Sequence, residues 1–124
     1  MLIKEEGDKV NFIDSLDRFI GYDTGQDCCE HAGWFISDKK ENYDTGSENE
    51  GDRGFNVEGF DFVPGAVTEV TPDEDAGLDD GGMVIFTLRD EKGNELYLHL
   101  FNCHNGYYGH GVETNVATLE NDIL

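Results

Sequence analysis

At 124 residues the chain has the size of one domain, 1–124, long enough to bury a core without a disulfide or a metal. It sets 28 Asp and Glu against 8 Lys and Arg, for a formal charge of −20 and a pI near 4.1. A surface of that sign repels DNA, RNA and anionic membranes, which comes close to excluding direct phosphate binding and leaves basic proteins and cations as the attractive partners.

The hydrophobic fraction is low, at 37%, yet eight Phe, five Tyr and one Trp are more aromatics than a disordered chain usually carries. They fall in patterned stretches, which predicts a core with polar, acidic loops attached. The first ten residues, MLIKEEGDKV, lack the basic start and apolar run of a secretory leader. No apolar run approaches a membrane span. Three cysteines, two of them adjacent, do not make a secreted disulfide framework, so a reducing cytoplasm is the expected location.

In chain order, the first expected element is a β-hairpin. Val10 and Phe12 alternate with Asn11, Arg18–Tyr22 forms a second apolar stretch, and the turn formers Asp14, Ser15 and Asp17 lie between. Trp34-Phe35-Ile36 reads as a short strand or turn that buries its aromatics. From Ser37 to Gly59 apolar patterning fades, and eight acids fall between Asp38 and Asp61, which predicts a long acidic loop or hairpin tip. Phe60–Val63 and Val67–Val70 recover strand character around Pro64-Gly65, and Thr71–Gly82 reads as a second acidic loop. Met83–Arg89 and Glu95–Asn102 form the clearest hairpin, closed by Asp90-Glu91-Lys92-Gly93-Asn94. In its second strand Leu96, Leu98 and Leu100 line one face, and Tyr97, His99 and Phe101 the other. A strand apolar on both faces belongs inside a sheet or between layers. Cys103–Gly111 reads as a turn, and Val112–Val116 as a last strand. The fold class is mainly β, or α+β: an antiparallel sheet of hairpins with long acidic loops.

Two islands hold chemistry-bearing side chains: Asp27-Cys28-Cys29-Glu30-His31, and His99 with Cys103-His104 through His110. If both emerge at one edge of the sheet, thiols and imidazoles converge. A zinc site would draw on Cys28 or Cys29, His31, Cys103 and His104, because zinc takes thiolate and imidazole in a tetrahedral shell. The spacing argues against it, since only Cys28-x-x-His31 matches a usual ligand pair. A cysteine nucleophile served by His99 or His104 is disfavoured because surrounding acids raise a thiol pKa. The alternative is that these are small buried residues and turn histidines. Asp73–Asp80 lacks the alternating donors and terminal Glu of an EF-hand loop, so only weak divalent binding is expected there. The residues therefore predict no enzyme and no required cofactor, with zinc as the exception to test.

The order hairpin, Asp27-Cys28-Cys29-Glu30, later hairpin, Asn105-Gly106-Tyr107-Tyr108 and closing Val112-Glu113 resembles a little-characterised family of small bacterial and phage-associated proteins with a DCCE-like and a C-terminal NGYY-like motif. The resemblance covers two short islands, about a third of the chain. It implies an origin in a phage or mobile element and a mainly β or α+β fold with the islands as structural neighbours; it implies no activity.

Three functions follow as expectations. The first is an interaction module whose carboxylates substitute for phosphates in a basic groove of a nucleic-acid-handling host protein, as an inhibitor of the anti-restriction or anti-CRISPR kind. Its contact acids would be Asp38, Glu41, Asp44, Glu48, Glu50, Asp52, Asp73, Glu74, Asp75, Asp79 and Asp80. The second is a metal-binding or Cys/His-dependent protein centred on the two islands. The third is an accessory protein whose acids only keep it in solution.

Overall fold

The alternation of apolar and polar residues builds the first of two sheets. Val10 and Phe12 of β2 (Lys9–Ile13) and Ile20 and Tyr22 of β3 (Phe19–Asp23) are fully buried, while Lys9, Phe19 and Asp23 face solvent. β1 (Leu2–Glu6) pairs antiparallel with β2, and β8 (Val112–Thr114) with β3, giving the order β1-β2-β3-β8. In this computed structural model the described residues are 1–25, 30–41, 54–71, 80–104, 110–119 and 124, with the backbone alone at Glu30, Asp80 and His104.

The second sheet has the order β4-β7-β6-β5, all antiparallel: β4 is Glu30–Ser37, β5 Asp61–Val70, β6 Asp80–Arg89 and β7 Glu95–His104. Its inner face packs on the first sheet. Trp34, Ile36, Phe62, Val84, Phe86, Leu88, Leu96, Leu98 and Leu100 join Val10, Phe12, Ile20 and Tyr22 in one core. Phe12 meets Trp34 edge-on at 5.1 Å, and the Tyr22 hydroxyl donates to the Phe101 carbonyl at 2.6 Å, which ties the layers across the middle.

Its outer face is apolar too. Phe35, Met83, Ile85 and Phe101 are each 1% exposed or less and form a second cluster with Val70 and Tyr97 packed against it. Both faces of β7 are thus buried, as the two apolar registers of Glu95–Asn102 predict, and β7 lies inside its sheet.

The described residues contain strands and no helix, so the fold is all-β, and the α+β alternative falls away. The central hairpin β6–β7 closes as expected. Asp90 Oδ1 accepts from the amides of Lys92 and Asn94, and Gly93 takes φ +87°. Several boundaries differ. β1 lies where the sequence offers only the short LIKEE run, and Trp34–Ile36 is the middle of an eight-residue strand. The stretches around Pro64-Gly65 are one strand whose register slips between Phe62 and Val67, and the Gly65 amide donates to Val116 O at 3.1 Å.

The second acidic segment is shorter than its composition suggests, because Asp80-Gly81-Gly82 already pair with β7 as β6. Glycine makes that possible: Gly81 holds φ +121°, and a Cβ there would collide with the Asn102 carbonyl oxygen. Residues 42–53 and 72–79, the centres of the two expected acidic loops, lie outside the described residues.

Candidate functional site

The register of β4 on β7 sets the described ends of the two cysteine–histidine islands side by side. His31 lies opposite Cys103, and Glu30 opposite His104; on the far side of β7, Asp80 pairs with His104 and Gly81 with Cys103. Glu30-His31 opens β4 and Cys103-His104 closes β7, so these pairs lie at one end of the sheet rather than along its edge. Side chains directly opposite in an antiparallel pair stand about 5 Å apart at Cβ. The Cys103 thiol is buried, at 1% exposure, and the His31 ring packs edge-on against Phe101 at 5.2 Å. Among the described residues no three Cys, His, Asp or Glu side chains form a group able to hold a metal ion. Cys28 and Cys29 lie outside those residues.

His99 has a packing role. It is fully buried on the outer face of the second sheet and stacks on Phe35 at 4.3 Å with an interplanar angle of 11°. Its Nδ1 lies 3.1 Å from the Tyr97 carbonyl oxygen and its Nε2 3.2 Å from that of Lys40. Burial pushes its pKa below the ordinary imidazole range, although both carbonyls pull the other way. A ring held this way fastens the chain leaving β4 onto the sheet, and neither nitrogen is presented to solvent as a base.

Asp14 is the buried acid. It sits in the β2–β3 turn and accepts from the amides of Leu16, Arg18 and Phe62 and from Arg18 Nε, the last at 2.7 Å. Burial alone would raise its pKa, but these donors together hold it below the usual carboxylate range. Because Phe62 belongs to β5, this one carboxylate joins the first sheet to the second. Beside it, Ser15 N donates to Asp61 Oδ1 at 3.0 Å.

Of the remaining described carboxylates, Asp61 and Asp90 are half-buried and Glu5 accepts from Trp34 Nε1 at 3.2 Å, while the others are exposed. Of the contact acids expected from the sequence, Asp38 and Glu41 are exposed just after β4. Asp80 opens β6, while Asp44, Glu48, Glu50, Asp52, Asp73, Glu74, Asp75 and Asp79 lie outside the described residues. A further set of acids, not expected from the sequence, lies on the solvent face of the first sheet. There Asp8, Asp23 and Glu113 line a cleft of about 400 Å³ with Lys9, Gly21 and Gly111. Lys9 Nζ reaches Glu113 at 3.7 Å. The signal was present in the alternation of Lys9–Ile13, whose outward positions had to face something.

A groove of about 540 Å³ runs at the end of the sandwich between the β2–β3 turn, β5 and the β6–β7 turn, and both described arginines line it. Arg18 is engaged by Asp14 and Arg89 by Glu95, each at 2.7 Å, so its positive charge is already answered from within the chain. Among the described residues no helix is long and apolar enough to cross a membrane. Comparison with protein-family models, with curated proteins and with solved structures finds no match for this chain.

Proposed function

We propose that this protein is an acidic interaction module that binds a basic surface of a nucleic-acid-handling protein, occupying a groove that otherwise takes phosphates. The observation that carries the reading is charge. The chain holds −20 in 124 residues, and Asp14 is its only buried acid among the described residues. A field of that size steers a basic partner into fast, salt-sensitive association. The resemblance of the two islands to small phage-associated proteins implies an origin that agrees with this reading, and the most concrete version of the proposal is an inhibitor of the anti-restriction or anti-CRISPR kind.

The test is capture of partners from host lysate on the immobilised protein, at low salt and again at about 0.5 M NaCl, where the Debye length is about 4 Å. A single nucleic-acid-handling protein retained through the high-salt wash, and released by the triple change Glu48→Gln, Glu50→Gln, Asp52→Asn, supports the proposal. General capture of basic proteins at low salt, with nothing held at high salt, contradicts it.

A second reading is favoured by one observation, the register that sets His31 against Cys103. On that reading the sheet end holds zinc through the island residues. Metal analysis of protein purified without chelator decides it. One zinc per chain, lost in Cys103→Ser, supports the site; no zinc above background removes it.

A further inference from the structure

We propose that the solvent face of the first sheet, at the end carrying Leu2, Ile13 and Phe19, is the contact patch for an extended basic segment of the partner protein. The proposal rests on the acidic-module reading above and names the surface that serves it. The pairing register aligns Leu2 with Ile13, and Ile13 with Phe19, so the three side chains form one row across β1, β2 and β3. The row lies on the face opposite the core, because Ile3, Phe12 and Ile20 beside it in sequence point inward. Leu16 lies in the β2–β3 turn, between Ile13 and Phe19 in the chain. Leu2 is 50% exposed, Leu16 66% and Phe19 38%, and these are the exposed large hydrophobics among the described residues. Three such side chains scattered singly would mean nothing; gathered at one end of one face they form a patch.

The rest of the face shows what covers it. The next row reads Lys4, Asn11, Gly21 and Glu113, and the one after that Glu6, Lys9 and Asp23. With Asp8 and Asp17 in the flanking turns, five carboxylates stand against two ammonium groups. An apolar row beside charged ones gives a protein contact both of its usual parts, and the excess of carboxylates selects a positive partner. A second copy of the chain is disfavoured by charge, since it would set two excesses of carboxylate face to face in a pair of chains that each carry −20. Each row is roughly 7 Å from the next. One apolar side chain on the Leu2–Ile13–Phe19 row therefore leaves Lys or Arg side chains, two and four residues along an extended segment, level first with the row that holds Glu113 and then with the row that holds Glu6 and Asp23.

The test uses a short fluorescent peptide of alternating Lys and Thr with one central Leu, together with counterparts in which Leu is replaced by Ser or every Lys by Glu. The first peptide is expected to shift the amide signals of Leu2, Ile13, Leu16 and Phe19. Replacing its Leu by Ser, or pairing Leu16→Ser with Phe19→Thr in the protein, weakens binding about fivefold, and the Glu peptide does not bind. The amide spectrum of the double variant reports directly whether it is folded. Salt-sensitive binding that ignores Leu16→Ser and Phe19→Thr overturns the patch and leaves the acidic-module reading standing. Failure of the Lys peptide to bind at low salt overturns both. A dimer in light scattering that dissociates in the double variant overturns the choice of partner, because a second copy then covers the row.

Discussion

The two sheets share one core and treat their other faces in opposite ways. The second sheet buries both: Phe86 and Leu98 point toward the first sheet, and Phe35, Ile85 and Phe101 pack just as deeply on the far side. The first sheet buries one face and gives the other to water, with Lys, Asp and Glu beside an exposed apolar row. The contrast separates labour within the molecule. The second sheet holds the more heavily buried residues, and most outward side chains of the first contribute less to the fold.

The largest effect tests that division directly. Phe101→Ala, on the outer face of the second sheet, is expected to destabilise by about 3–5 kcal/mol, as much as Phe86→Ala in the central core. Equal losses in urea unfolding support two buried faces; a Phe101 loss below about 1 kcal/mol shows that the outer face adds little to stability. The link between the sheets comes next. Asp14→Ala leaves the Leu16, Arg18 and Phe62 amides and the Arg18 guanidinium without their acceptor, at an expected cost of about 2–4 kcal/mol.

A smaller effect is read by pH. His99 is held below the ordinary imidazole value of 6.5, so as pH falls the unfolded chain takes up this proton before the folded one does. Its contribution is complete above about pH 6.5 and is lost as pH drops from there through the lower folded value. The urea midpoint should fall between pH 7.5 and 5.5, and His99→Phe should flatten that interval. The depressed Asp14 adds a second loss further into acid, below the ordinary carboxylate value of 3.8. The smallest effect belongs to the first sheet's turn: Leu16→Ser should move stability by no more than about 0.5 kcal/mol.

How much of this was legible in the sequence follows the same division. The strands of the central hairpin carry apolar residues on both faces, and that pattern identifies Leu96–Phe101 as interior before any pairing is known. Lys9–Ile13 shows its half-buried character in plain alternation. β1 was not legible, because Leu2-Ile3 followed by Lys4-Glu5-Glu6 has too little apolar content to show a period, and only pairing with β2 makes it a strand. Asp80-Gly81-Gly82 read as loop because glycine carries no pattern, although a close approach to the Asn102 carbonyl demands it.

The site was legible in part. The neighbourhood of the two islands was expected, and the register sets His31 beside Cys103. The roles of His99 and Asp14 were hidden, since a stacked imidazole and a turn carboxylate bridging two sheets depend on partners tens of residues away. The Leu2–Ile13–Phe19 row was hidden for a related reason: its members come from three strands, and only the register aligns them.

The claim that the acidic surface stands in for nucleic acid is tested most directly by competition. The protein retained from lysate through the high-salt wash is purified and loaded with a labelled DNA duplex, and the acidic protein is titrated in. The duplex is expected to be displaced in proportion to the complex formed, and less so by the Glu48→Gln, Glu50→Gln, Asp52→Asn variant. A stable ternary complex, with duplex and acidic protein bound together, would contradict the claim.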